Sequence, residues 1–416
     1  MPAPWKTRLA VGSLALILAA AFERAHATPF EYLGQAILPT GSGYAGTTVG
    51  GLSGIDALGG GRFVAISDDR SSLNPARFYT LEVDLAMFQR STSPGAAGVA
   101  FTAVTTIQRP DGSAFPTHQV DPESIRYDRA AGTLLWSNEG QRSAAGFQDP
   151  TVREMRLDGS HVRDFAVPGR YSPAGSVAGT TPGDRGVVNN LAFESLALAR
   201  DGRTLYAATE NALAQDGPPA SVAAGSASRI VSFDVATGAA GKEWVYRTEP
   251  VAIPPNPATA FATNGLVELL ALGRERFLAV ERSFAVGAVT PGTPVTGNTI
   301  RLYLVDAAKA TDVSGLDSIA GQPVTAVKKT LLADLAAFTQ ADGTPLALDN
   351  IEGVAWGPRW NGQRTLLLVS DNNFSPTQFT QFVALSLTSP IPEPGTLVLL
   401  AGGLAGVCWR VRRRAA

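Results

Sequence analysis

From Phe30 onward the apolar residues fall in short runs of four to seven, each bounded by Gly, Pro, Asp or Asn. Sustained helical periodicity is scarce, and Leu332 to Phe338 could supply a helical turn or two. Such a pattern predicts an all-β chain. The runs also recur as one hairpin. Leu52-Ser53-Gly54-Ile55-Asp56 leads through Gly59 to Ser67-Asp68-Asp69, and Asp121-Pro122-Glu123-Ser124 leads through Gly132 to Ser137-Asn138-Glu139. Phe193-Glu194-Ser195 leads to Thr209-Glu210, Val267-Glu268-Leu269 to Val280-Glu281-Arg282, and Ile351-Glu352-Gly353 to Ser370-Asp371. Ser53, Glu123, Glu194, Glu268 and Glu352 open the five copies at spacings of 70, 71, 74 and 84 residues.

Two further strand candidates follow each of the first four hairpins, as Arg77–Val83 and Val99–Val104 do in the first. Four strands per unit, repeated radially, predict a β-propeller. The fifth unit shows only three strands, while Phe30–Leu38 has no partner nearby in sequence. Placing that run on the outer edge of the last blade closes the ring from both termini. The count is five blades. A sixth would have to hide in 170–190 or 284–298, and neither stretch shows the opening hairpin.

The two ends read differently. Lys6 and Arg8, an apolar run from Leu9 to Phe22 and then Ala25-His26-Ala27 have the form of a secretory signal cut after Ala27. Pro392-Glu393-Pro394, an apolar segment to Trp409 and Arg410, Arg412, Arg413 and Arg414 closely resemble the PEP-CTERM sorting tail. That resemblance implies recognition by an exosortase in the membrane and release to the cell surface or beyond. The expected organisation is signal 1–27, propeller 28–389 and sorting segment 390–416, with signal peptidase and exosortase as export partners. Loss of both ends would remove seven basic and two acidic residues, moving the formal charge from −2 to −7. No basic patch remains, which argues against nucleic acid. The only cysteine, Cys408, lies in the tail, so the body has no disulfide.

In a propeller the innermost strands line the central channel. Repetition therefore brings Glu123, Glu194, Glu268 and Glu352 together near the axis, with Asp56 as a stand-in for the missing fifth acid. Asp68, Asp69, Glu139, Glu210, Glu281 and Asp371, at the ends of the second strands, form a second set near one face. Converging carboxylates lose hydration and repel, so they call for cations, arginines or protons. Oxygen ligands suit Ca²⁺ better than Zn²⁺, and the body has only His118 and His161 and no cysteine to offer zinc. All these acids except Asp69 are candidate Ca²⁺ ligands; Glu123 and Glu194 are also the catalytic candidates. Arg70, Arg142 and Arg282 are candidates for holding substrate. The competing reading is that each acid merely caps a turn or pairs with one of these arginines. No Gly-x-Ser-x-Gly elbow, Walker loop or dinucleotide fingerprint is present.

Leu52–Asp56, Ile66–Arg70, Asp121–Ile125, Ser137–Gly140, Phe193–Leu196, Glu210–Leu213, Gln215–Pro218, Leu278–Arg282 and Asp349–Gly353 resemble the "esterase-like activity of phytase" family, over about residues 50–385. The resemblance implies hydrolysis of a phosphoester or carboxylester with calcium. β-Propeller phytases use clustered Ca²⁺ to activate water, but they have six blades, so no ligand transfers directly. Two functions stay open: a Ca²⁺-assisted ester hydrolase, and a calcium-stabilised surface or matrix binding propeller. A propeller alone does not choose between them.

Overall fold

The computed structural model describes residues 28–389, so the expected signal at 1–27 and the sorting segment at 390–416 lie outside the described residues. The compact unit that carries the site is Tyr32–Leu387. Five four-stranded antiparallel sheets make up its blades. From the axis outward, blade 1 is Leu52–Gly59, Arg62–Ser67, Arg77–Val83 and Val99–Thr106. Blade 2 is Pro122–Asp128, Thr133–Asn138, Thr151–Arg156 and His161–Asp164, and blade 3 is Phe193–Leu198, Thr204–Thr209, Ala227–Asp234 and Ala240–Arg247. Blade 4 is Ala262–Gly273, Arg276–Ala285, Asn298–Asp306 and Lys328–Asp334. Blade 5 is Asn350–Trp360, Gln363–Asp371 and Phe379–Leu387, with Phe30–Pro39 as its outer strand. The ring therefore closes with strands from both ends of the chain, as the unpaired run at Phe30 predicts.

The second strands show why the chain folds this way. Successive side chains of a strand point to opposite faces. Phe63 and Ala65 enter the apolar layer shared with blade 5, while Val64 and Ile66 enter the layer shared with blade 2. Leu205 and Ala207 likewise join the blade 2 layer, and Tyr206 and Ala208 the blade 4 layer. Both faces are buried, so these strands read as unbroken apolar runs rather than as alternation.

Two details differ from the sequence reading. Short hairpins, Gly43–Tyr44 with Thr47–Thr48 and Gln141–Ser143 with Gly146–Gln148, stand outside the blades. The helical turn contracts to a 3-10 turn, Leu335–Ala337, in which Asp334 accepts a hydrogen bond from the amide of Ala336. The stretch 170–190 carries a 3-10 turn and one isolated bridge, Ala174 to Arg185, so it supplies no sixth blade. No helix among the described residues is long and apolar enough to cross a membrane.

Candidate functional site

Every blade has the same irregularity at one end of its inner hairpin. The pairing register slips between Leu52 and Gly54, Pro122 and Ile125, Phe193 and Ser195, Leu266 and Glu268, and Ile351 and Gly353. The extra residue in each β-bulge is Ser53, Glu123, Glu194, Val267 and Glu352. A bulge re-aims the side chain it carries, and here three glutamates converge on the channel mouth. The residue just past the pairing partner on the second strand supplies the next ring: Asp68, Glu139, Glu210, Arg282 and Asp371. Four blades give an acid at this level, and blade 4 gives an arginine.

Seven of these ten residues, all but Ser53, Val267 and Glu139, line a cavity of about 610 Å³. Asp68, Asp121, Glu123, Glu194, Glu210, Asp349, Glu352 and Asp371 line it, with only Arg70 and Arg282 as cations. Arg70 pairs with Asp121. Arg282 Nη2 lies 3.0 Å from Glu352 Oε1 and 3.5 Å from Glu210 Oε1. Asn350 Nδ2 donates to Glu352 Oε1 at 3.0 Å and Asp371 Oδ2 at 3.2 Å. Carboxylate oxygens of Asp121, Glu123 and Glu139 all lie within 4.8 Å of one another. Asp68 Oδ1, Glu210 Oε1 and Arg282 Nε are buried without a hydrogen-bond partner.

Burial and mutual repulsion push these carboxyls up. Burial is the largest cause at each. It holds Glu123 well above the ordinary range with help from Glu194, and Glu194 with help from Glu139. Asp68 is held there by burial and by Asp121, and Asp371 by burial and by Asp68. Glu210 is pushed up to about 7 by burial, against the pull of Arg282. Without added positive charge, these acids hold their protons to higher pH than free carboxyls do. Glycines make room for them: a Cβ on Gly265 would lie 2.1 Å from Glu210 Oε1.

The remaining candidates lie elsewhere. Glu268 sits one residue past the bulge and faces the opposite way from its supposed equivalents. It is fully buried, binds Arg126 at 2.6 Å, and accepts from Ser124 Oγ, Leu196 N and Leu269 N. Arg126 also donates to the carbonyls of Ile55, Ile125, Leu196 and Leu269, and so pins the inner strands of four blades. Asp56 accepts from Tyr127 N and lines a separate cavity of about 310 Å³ with Arg126. Glu281 faces outward, bound by Tyr246 Oη, Lys329 Nζ, Asn264 Nδ2 and the amide of Glu249. Arg142 is buried and spends its guanidinium on the carbonyls of Ala174, Ser176, Arg185 and Val187, beside Asp184. It staples the 172–187 insertion and is not beside the acid ring. Asp69 caps a turn, accepting from the amides of Ser72, Leu73 and Asn74 and pairing with Arg77.

The structure adds members that the list of candidates omits. Asp121, two residues before Glu123, faces Glu139 and Arg70; its signal was the acid-Pro-acid spacing of Asp121 to Glu123. Asn350 bridges two acids. Phe261, Phe284 and Val295 line one side of the cavity, and no charge pattern marks them.

Comparison with known proteins gives one family match across most of the body. The family model described as "Esterase-like activity of phytase" matches residues 47–374, and the PEP-CTERM protein-sorting motif matches residues 390–414. No curated protein matches the chain. Similar solved structures include a Dos1 propeller (7% identity, 84% of this chain and 71% of that one, TM-score 0.34). A GH43 β-1,3-galactosidase solved with galactodeoxynojirimycin shows 12% identity, coverage of 84% and 94%, and a TM-score of 0.39. The periplasmic gluconolactonase of Pseudomonas aeruginosa shows 12% identity, coverage of 82% and 87%, and a TM-score of 0.31.

Proposed function

The chain belongs to the family described as esterase-like activity of phytase, and on that premise we propose that it is a secreted hydrolase of ester bonds. Export is supported by the sorting motif at 390–414. The observation that carries the reading is the convergence of acids from blades 1, 2, 3 and 5 on one cavity with two arginines.

The donor set fits a hard divalent cation such as Ca²⁺. It is all oxygen, it contains the close group Asp121, Glu123 and Glu139, and it leaves Asp68 Oδ1 buried without a hydrogen-bond partner. Asp121, Glu123 and Glu139 would hold the ion. When bound, such an ion polarises an ester oxygen and acidifies a water.

The chain's own residues supply the rest. Arg70 and Arg282 sit at opposite sides of the acid ring and orient the oxygens of the scissile group. Glu210, pushed up to about 7 and facing Arg282 across 3.5 Å, is matched to accept the proton of the attacking water. Glu194, held well above the ordinary carboxylate range by burial and by Glu139, is the acid that donates a proton to the departing alkoxide oxygen. Water thus adds to the ester centre as the bond to the alcohol breaks.

The test is release of phosphate from a phosphoester and of chromophore from a carboxylic ester, with Ca²⁺ and with chelator. Glu194→Gln should cost about 10²–10⁴-fold in kcat, and Glu123→Gln should weaken the Ca²⁺ dependence. Calcium that raises the melting temperature of a chain inert on every ester would leave a calcium-stabilised binding propeller instead.

A further inference from the structure

Blade 4 departs from the other four at the mouth, and its departure has two parts. It offers Arg282 where the others offer acids. It also carries an apolar lip. Phe261 is 64% exposed and Val295 is 56% exposed, yet both line the same cavity as the acid ring, together with Phe284. The rings of Phe261 and Phe284 lie 6.2 Å apart at 40°.

This lip is built on regular structure. The inner hairpin of blade 4 continues its ladder past the bulge, pairing Thr263 with Phe284 and Ala262 with Ala285. Beyond it, Val286 N donates to Phe261 O and Asn256 N to Val286 O. Val251, Ala285 and Ala288 pack behind it as a small core with Ile253 and Ala262. A well-supported aromatic facing water at the edge of a polar cavity is an unburied apolar surface aimed at whatever fills that cavity.

We infer that the cavity takes a neutral carboxylic ester whose acyl group is aromatic or a medium alkyl chain, seated on Phe261, Phe284 and Val295. The inference rests on the reading of the cavity as an ester-hydrolysing site and chooses the substrate class within it. Charge favours the same choice. Both arginines of the lining are already paired with acids, so neither is free to neutralise a phosphate. Each phosphate of a polyphosphate would add negative charge to this surface, whereas a neutral ester adds none. The acyl group lies along the blade 4 wall, and its carbonyl points toward Arg282 and the acids.

The experiment uses the full chain with Ca²⁺ and compares 4-nitrophenyl acetate, hexanoate and benzoate with 4-nitrophenyl phosphate. Expected is a kcat/KM that rises from acetate to hexanoate and benzoate, with the phosphate poorest. Phe261→Ala should raise KM for the benzoate about tenfold, roughly the loss of one apolar contact, with a smaller effect on the acetate. Phe261→Leu should recover most of the loss. Equal effects on acetate and benzoate, or a preference for the phosphate, would overturn the inference while leaving hydrolysis intact. If no ester is cleaved at all, the proposed function falls, and calorimetry with neutral methyl benzoate decides the lip separately. Binding weakened by Phe261→Ala upholds it as an apolar acyl site, and no binding overturns it. Adsorption to phosphatidylcholine vesicles that Phe261→Ala abolishes, with KM unchanged, would also overturn it in favour of a membrane contact.

Discussion

Blades 3 and 4 carry nearly the same hairpin and put it to opposite uses. In blade 3, Glu194 occupies the bulge and Glu210 follows the last paired residue, and both enter the acid ring. In blade 4 both glutamates are displaced by one position. Val267 takes the bulge and Arg282 the following place, so Glu268 turns into the ring's interior and Glu281 turns outward. A shift of one residue on a strand sends the side chain to the other face. The same residue type thus serves as a member of a charged cavity in one blade and as a structural staple in the next.

Glu268→Gln against Glu194→Gln is the sharpest way to break that comparison. Removing the charge of Glu268 leaves Arg126 without a counter-charge at the axis, where both side chains are almost wholly enclosed and only carbonyls face the guanidinium. Loss of one partner of such a pair costs about 3–5 kcal/mol, to be read by chemical denaturation. Glu194→Gln removes a carboxylate that its neighbours repel. In chelator at pH 8 it should melt at or above the temperature of the parent chain. Equal destabilisation by both would show that the bulge does not separate their roles.

The cavity also makes the chain's stability depend on pH in an uncommon direction. Its acids hold protons in the folded state at pH values where the unfolded chain has released them. A raised carboxyl contributes stability below its unfolded pKa and loses it as pH rises through its folded value. In chelator the melting temperature should fall by several degrees from about pH 4.5 through 7, the value of Glu210, and on beyond. Calcium should flatten that fall, and its effect should grow with pH because binding displaces protons. A melting temperature that rises across this range without calcium would contradict the repulsion argument.

Arg282 gives the next test. Arg282→Gln takes away the counter-charge of Glu210 and Glu352. At pH 8 in chelator it should cost about 1–3 kcal/mol. At pH 5, where Glu210 is protonated, the cost should shrink to what the Glu352 pair contributes, and calcium should recover most of it at pH 8. A cost independent of pH would mean that Arg282 acts through packing alone.

The propeller was legible because both of its signals are local. Apolar runs bounded by turn residues mark strands, and their repetition marks blades; even the closing strand at Phe30 shows as a run with no partner. The acid ring was legible in blades 2, 3 and 5, where Glu123, Glu194 and Glu352 sit at bulges. Blade 4 misled because a glutamate lies beside the bulge, and a bulge is defined by pairing across strands rather than by residue type. Arg142 looked available because it follows Glu139 closely, but its partners are carbonyls more than thirty residues away. Phe261 and Val295 were invisible, since an exposed apolar residue in a Gly- and Pro-rich insertion resembles any loop position.

The smallest expected effect falls on the other displaced glutamate. Glu281 is bound by Lys329 Nζ at 2.7 Å, by Tyr246 Oη at 2.7 Å and by two further donors, all on the outward side of the strand. Gln in its place keeps the side-chain shape and one acceptor oxygen but loses the charge that Lys329 faces. Lys329 retains Glu249 at 2.7 Å and the carbonyl of Arg247, so it is not left alone. Glu281→Gln should therefore cost about 1 kcal/mol, with the calcium-induced rise in melting temperature unchanged. Glu210→Gln, at the neighbouring position in blade 3, should reduce that rise. If Glu281→Gln reduces it as much, the two residues share one site, and the displacement of blade 4 does not divide structure from chemistry.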